Sequence, residues 1–266
     1  MKVGEMQFQG RTEVHPTSYS LEGTMPLLEP DIAGNKPMGV AFATAMLRQL
    51  AHPEQDVRFE AFVRGYPVRH TSCRELLTLR PEEEELLRLA LSDYPTPPRV
   101  LDIGCGIGRH LFCAIGRRAD AQVWGVEYST MLRDYCAGII PAGNWLRSFS
   151  EVPDNERFDL VLLMGNGLGI FGSEEDAKEG LRRIFRLLAN GGSLLVEACP
   201  LGPADYSEIE MEIRYQGILD GPFPWGFASD DWLLRELQAV GYTMPPIRRD
   251  SSVGMGAFIY LARKPE

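Results

Sequence analysis

The residues best suited to chemistry lie in Asp102-Ile-Gly104-Cys-Gly106-Ile-Gly108, a carboxylate followed by three glycines at alternate positions. Glycine reaches positive φ and leaves main-chain N–H groups open to a ligand, so this stretch can turn sharply beneath a bound molecule. Glu127 follows roughly 25 residues after Asp102, at the spacing where an acid can accept hydrogen bonds from two ribose hydroxyls. Asn166, set between Gly165 and Gly167 after the stretch Phe158-Asp-Leu-Val-Leu-Leu-Met164, can donate and accept without carrying charge. The same glycines and amide also suit a plain turn. Upstream, Phe59, Phe62, Arg64, Tyr66, Arg69, His70 and Cys73 mix aromatic and cationic groups. That mixture fits a pocket for a small acidic or aromatic substrate, and it equally fits a solvated surface. His70 is its candidate general base, because an imidazole pKa near ~6.5 allows proton uptake at neutral pH. The competing reading is a structural histidine.

Elements must position these groups. Val100, Leu101 and Ile103 form the apolar run of a central parallel strand, with Asp102 at its carboxyl end, where open α/β sheets place their binding crevice. A crossover helix is expected over 107–116 and a second strand over 121–126, ending at Glu127, with Ser129 as the next helix cap. A third strand is expected over 144–149 and a buried one over 158–164. A helix begins at Ser173-Glu-Glu-Asp176 and ends at Asn190-Gly191, and a strand follows over 192–198. This alternation predicts a parallel sheet with helical crossovers. Residues 207–215 alternate strictly, with Ile209, Met211, Ile213 and Tyr215 on one face, and read as an inserted strand. Pro222-Phe-Pro-Trp-Gly-Phe227 reads as an aromatic loop, available for cation–π contact or for core filling. A helix over 229–240, stopped by Gly241, and two strands near 242–249 and 256–262 close the chain.

The first 36 residues are polar and rich in Gly and Pro and read as an arm. From Pro37, the residues Met38, Phe42, Ala45, Met46 and Leu50 have helical spacing, and Val40, Ala41 and Leu47 make the segment apolar all round. It should be a buried cap helix. Pro81 followed by four glutamates opens another helix, with its carboxylates against the positive end of the dipole. Tyr94 to Pro98 is a stiff linker.

The chain has 266 residues, 44% of them hydrophobic, enough to bury one substantial core. A formal net charge of −10 argues against a nucleic-acid partner. The five cysteines are odd in number and never spaced C-x-x-C, which argues against a disulfide framework and against zinc. With no apolar leader core or membrane-length run, the expected location is the cytoplasm, away from the membrane.

The acid-glycine spacing departs from a dinucleotide fingerprint, because Arg109 stands where the last glycine would fall. It resembles the first motif of the class I S-adenosylmethionine-dependent methyltransferases. The resemblance covers about 99–264 and implies a Rossmann-like, seven-stranded, mostly parallel sheet with a C-terminal antiparallel hairpin, plus an N-terminal helical cap. Residues 1–80 would be arm and cap, and 81–266 the cofactor-binding domain, with an inserted cap strand and loop at about 205–228. By resemblance, Gly104, Cys105 and Gly106 lie beneath the methionine part and ribose of S-adenosylmethionine, with Cys105 as a small filler. Asp102 takes the methionine part and Glu127 the ribose. Tyr128 and Met131 flank the adenine, and Met164 lies with them at the end of its strand. Relatives commonly place an Asp after the third strand to accept the adenine amino group. Here that position is Ser148, beside Phe149. Asn166 resembles an Asn found in several small-molecule methyltransferases, and Tyr19 one in the amino-terminal segment that related enzymes close over the cofactor.

The expected function is methyl transfer from S-adenosylmethionine to a small molecule, with His70, Tyr19 and Asn166 as candidate catalytic groups. One alternative is an enzyme that consumes the cofactor itself, by attack on the aminobutyrate carbon with release of methylthioadenosine. Another is an inactive cofactor-binding regulatory subunit. The acceptor and the oligomeric state are not legible.

Overall fold

In the computed structural model the described residues are 39–63, 66–92, 94, 96–252 and 257–266, with 66–70 described in backbone only. Strands β3 (Arg99–Ile103), β4 (Gln122–Val126), β5 (Asn144–Leu146), β6 (Phe158–Leu163), β7 (Leu188–Ala198), β10 (Thr243–Asp250) and β11 (Phe258–Arg263) form a seven-stranded sheet in the order β10-β11-β7-β6-β3-β4-β5. The pairs among β3 to β7 are parallel, and β11 runs antiparallel to both β7 and β10. The strand order reverses at β3 and β6, so the carboxyl ends of these two strands open the crevice expected of doubly wound sheets.

Successive residues of the central strands face opposite layers. Leu101, Ile103, Val161, Leu163, Leu194 and Val196 pack with Ala177, Leu181 and Ile184 of α6 (Glu174–Leu187) and with Trp232, Leu233 and Leu237 of α7 (Asp230–Val240). Val100, Leu160, Leu162 and Leu195 pack with Leu86, Leu87 and Ala90 of α3 (Pro81–Ser92) and with Leu111 and Ala114 of α4 (Arg109–Arg117). Asp102 and Glu197 each stand two residues after Val100 and Leu195, on the same face, so both carboxylates point into the α3–α4 layer. Helix α5 (Thr130–Ile139) joins β4 to β5.

A second sheet stands over this one. Strands β1 (Arg58–Val63), β2 (Tyr66–Ser72), β8 (Tyr206–Tyr215) and β9 (Ile218–Ala228) pair antiparallel in the order β2-β1-β8-β9. The pairing of β1 with β8 sets Glu60 opposite Arg214 and Ala61 opposite Ile213. The apolar face of the β8–β9 hairpin packs on α1 (Val40–Ala51) and on α2 (Cys73–Leu77), and the same core takes in Ile107 and Leu132 from around the glycine turn. Helix α1 is capped from a distance, since both oxygens of Asp220 accept from main-chain N–H groups, Ala41 at 2.9 Å and Phe42 at 2.9 Å. Burial pushes the Asp220 carboxyl up, against these backbone hydrogen bonds. Asp220→Ala should cost about 1–2 kcal/mol of stability by analogy with other helix caps. Thermal unfolding measures this, and an unchanged Tm would refute the cap.

The cap therefore holds the expected helix but is largely sheet. Residues 58–72, where periodicity is weak, form a hairpin, and the aromatic stretch Pro222 to Phe227 is part of β9 rather than a loop. Helix α6 stops at Leu187 and not at Asn190-Gly191, because Leu188 already pairs with Phe158. Strand β5 ends at Leu146 and not at Phe149, which opens a short 3-10 turn, Phe149–Glu151. No helix among the described residues is long and apolar enough to cross a membrane.

Candidate functional site

The carboxyl ends of β3, β4 and β6 bring the sequence motifs together. Gly104, Gly106 and Gly108 all take positive φ, at 76°, 56° and 78°. The turn is pinned to the next strand, with Gly104 N and Cys105 N donating to Val126 O at 2.8 and 3.0 Å. Glu127, at the end of β4, reaches back to it. Its Oε2 accepts from Gly106 N at 2.9 Å and its Oε1 from Ser129 N at 2.8 Å. Burial pushes this carboxyl up to about 7, even though the two backbone N–H groups favour its charged form. Ser129 stands at the N-terminus of α5, but its hydroxyl makes no cap bond; its N–H serves Glu127 instead.

Asp102 is 1% exposed, and its Oδ2 has no hydrogen-bond partner. His110 Nδ1 lies 3.5 Å from this oxygen, beyond a good hydrogen bond. A buried carboxylate oxygen in that condition is one a ligand donor can satisfy. Space for a ligand lies beside it, since a Cβ built on Gly106 or on Gly165 would meet no atom within 4 Å. Above Gly104 the space is taken by Ile170, whose Cδ1 would lie 2.4 Å from such a Cβ.

Asn166 sits in the left-handed region at φ 58° and ψ 37° and opens the 3-10 segment Gly167–Phe171. Its N–H donates to Glu197 Oε2 at 3.1 Å and its Nδ2 to Gly226 O on β9 at 3.3 Å. The amide oxygen, buried, has no partner. Trp225 lies across this segment so closely that a Cβ on Gly169 would fall 2.1 Å from its indole nitrogen. Gly169→Ala should therefore push β9 off the segment and lower Tm by several degrees, a shift that differential scanning calorimetry would detect.

The other expected contacts are more scattered. Met164 is buried with Cys105 in the α3–α4 layer. Met131 is half-buried against the cap core, and Tyr128 carries the Arg147 guanidinium 5.3 Å above its ring. The hydroxyl of Ser148 caps the turn after β5, accepting from Ser150 N at 3.1 Å. Phe149 packs edge-on to Phe171 at 6.2 Å, beneath the Arg183 guanidinium. His70 lies on β2 opposite Glu60, but its side chain, like the whole of Tyr19, falls outside the described residues. Among the described residues no group of three or more His, Cys, Asp or Glu is arranged to hold a metal ion. A cavity of about 830 Å³, lined by Arg48, Asp56, Arg58, Glu60 and Arg214, opens by α1, β1 and β8. It involves none of the strand-end groups.

Sequence reasoning missed Arg80, Glu83, His110 and Glu197, which surround Asp102 and Asn166 from below. Glu83 did carry a signal. It leads the spacing Glu83, Leu86, Leu87, Ala90 on the buried face of α3, whereas the acidic run around it reads as a dipole effect.

The sequence from 100 to 192 matches a family described as a methyltransferase domain. Comparison with curated protein sequences finds no match. The fold is similar to an S-adenosylmethionine-dependent methyltransferase from Bacteroides fragilis solved with S-adenosyl-L-homocysteine (TM-score 0.64, 19% identity, 87% of this chain and 96% of that one). It is also similar to the CcbJ methyltransferase from Streptomyces caelestis (TM-score 0.52, 16% identity, 70% and 91%). A third similar fold is that of the amino pentose methyltransferase CalS10 from Micromonospora echinaspora (TM-score 0.51, 15% identity, 69% and 89%). The match over 100–192 and the strand order that reverses at β3 and β6 are consistent with the class I S-adenosylmethionine-dependent methyltransferases.

Proposed function

We propose that the protein transfers a methyl group from S-adenosylmethionine to a small molecule, held between the strand ends and the cap that the segment before residue 80 builds together with 205–228. The observation that carries the reading is the convergence of Asp102 and Glu127 on one glycine turn, with the Asp102 oxygen unpartnered and open space at Gly106. These groups fit the cofactor. Asp102 suits its amino-acid end, Glu127 two adjacent ribose hydroxyls, and the glycine turn a close approach of backbone. Bound S-adenosylmethionine supplies a methyl group already activated on a sulfonium. The residues of this chain then have to hold an acceptor in line and exclude water. Trp225 and Ile170 exclude water, and Asn166 borders the acceptor space. A base is required only for a protonated acceptor, and the position for it would be filled by His70 or Tyr19.

Glu127 makes cofactor binding pH-dependent. Its carboxyl is half protonated near pH 7 in the free protein, and only the ionised form accepts from both hydroxyls. Below that point affinity should fall by up to about tenfold per pH unit, and above it should level off. Calorimetric titration from pH 6 to 8.5 checks this, and an affinity flat across that range would refute it. The same raised pKa acts on folding in a defined direction. Its favourable contribution is full below the ordinary carboxyl value of 4.5 and is lost as pH rises through about 7.

The test of function is incubation with S-adenosylmethionine, with and without a panel of small acceptors, and mass spectrometry of the nucleoside product. S-adenosylhomocysteine formed only with an acceptor supports methyl transfer. Methylthioadenosine formed without one, above the spontaneous background, supports consumption of the cofactor itself. Binding with neither product indicates a regulatory subunit.

A further inference from the structure

Beneath the crevice, a chain of buried ionised side chains joins Asp102 to the turn at Asn166. His110 Nδ1 lies 3.5 Å from Asp102 Oδ2, and its Nε2 lies 3.4 Å from Glu83 Oε1. Glu83 is fully buried, and its Oε1 also accepts from Arg80 Nη2 at 2.6 Å and from Arg109 Nη2 at 2.7 Å. Arg80 then reaches the other strand end, with Nη1 2.7 Å from Glu197 Oε1 and in contact with the Ser251 hydroxyl. Glu197 Oε2 accepts from Asn166 N at 3.1 Å, which completes the connection.

The charge count of this cluster is specific. Asp102, Glu83 and Glu197 contribute three negative charges, and Arg80 and Arg109 two positive ones. A net buried charge is costly, so the cluster calls for one more cation. His110 stands with a carboxylate facing each ring nitrogen, and only the imidazolium presents an N–H and a positive charge to both. The charged groups facing it are Asp102 from β3, Glu83 from α3 and Arg109 from its own helix; Arg80 and Glu197 stand one contact further out.

We infer that Arg80, Glu83 and His110 are positioning residues for methyl transfer, with His110 as a buried imidazolium whose charge holds Asp102 and the Asn166 turn at a fixed separation. This rests on the methyltransferase reading of the crevice. It assigns the first turn of α3 a task beyond packing, namely to register the acid that receives the cofactor against the turn that borders the acceptor. Burial pushes the imidazole toward its neutral form, but Asp102 and Glu83 overcome it and raise its pKa. The same partners act on Glu83, which burial pushes up and which His110 and Arg80 hold well below the carboxylate range.

The test begins on the ligand-free protein. Imidazole resonances of the four histidines are followed with pH, and the His110 signal is identified by its loss in His110→Gln. The expected midpoint is above ~6.5 and falls by a unit or more in Glu83→Gln. The amide signal of Asn166 should follow the His110 titration in the wild type and lose that dependence in Glu83→Gln. A His110 that stays neutral through pH 6–8, or an Asn166 amide insensitive to it, overturns the inference. Affinity for S-adenosylhomocysteine, read by calorimetry, should fall tenfold or more in His110→Gln and in Glu83→Gln, and His110→Gln suffices if Glu83→Gln fails to fold. Wild-type binding matched by His110→Gln overturns the positioning role alone. No wild-type binding overturns the methyltransferase reading, and the positioning role with it.

Discussion

Replacement of Glu127 by Ala is expected to weaken binding of S-adenosylmethionine by on the order of 100-fold, from the loss of about 3 kcal/mol in charge-assisted hydrogen bonds. The carboxylate holds Gly106 N at 2.9 Å and Ser129 N at 2.8 Å, so it fixes the glycine turn and the start of α5 in relation to each other. Alanine removes both anchors along with the acceptor for the ribose hydroxyls. Glu127→Gln retains the volume and one acceptor oxygen and should lose less, about tenfold. It should also abolish the rise of affinity through pH 7. Calorimetric titration of each variant reads the effect. Wild-type affinity in Glu127→Ala would show that the ribose is held elsewhere.

Trp225→Ala should have the larger effect on stability, a loss of about 3–5 kcal/mol, the usual range for truncating a buried tryptophan. The side chain is 4% exposed, packs edge-on to Phe223 at 6.0 Å and closes against Gly169, so no neighbour can collapse easily into the space it leaves. A loss of that size lowers Tm by about 10 °C in a chain of this length. It should separate cap from crevice, so acceptor turnover falls further than cofactor affinity. Thermal unfolding and cofactor titration on the same preparation distinguish the two effects. A drop of less than 2 °C would mean that β9 is held by its strand pairing rather than by its apolar face.

The sheet was legible because its strands carry their own pattern. Val100, Leu101 and Ile103 of β3 and the unbroken run Leu160 to Leu163 of β6 are apolar on both faces, as strands covered from both sides must be. The acids at their ends and the three positive-φ glycines also fall where spacing puts them. The cap was less legible. Strand β1 shows no clean alternation because adjacent Ala61 and Phe62 are both buried where its register with β2 shifts. Asp220 as the cap of α1 was illegible because it lies 179 residues from the N–H group it accepts from at Ala41. Glu83 was misread for a different reason. Its spacing with Leu86, Leu87 and Ala90 marks the buried face, but the helix dipole accounts for the whole acidic run without singling it out.

The antiparallel pairing of β1 with β8 has a consequence for how this chain comes to be folded. The first hairpin of the cap leaves the ribosome long before its partner, with Phe59 and Phe62 destined for burial and one edge of β1 open. Until Tyr215 has been made, that edge can pair with any exposed strand nearby, including the same hairpin of another nascent chain. Closing so long a loop is slow compared with forming the local βα units of the large sheet. The main sheet should therefore form first, and docking of the cap should be the late step in refolding.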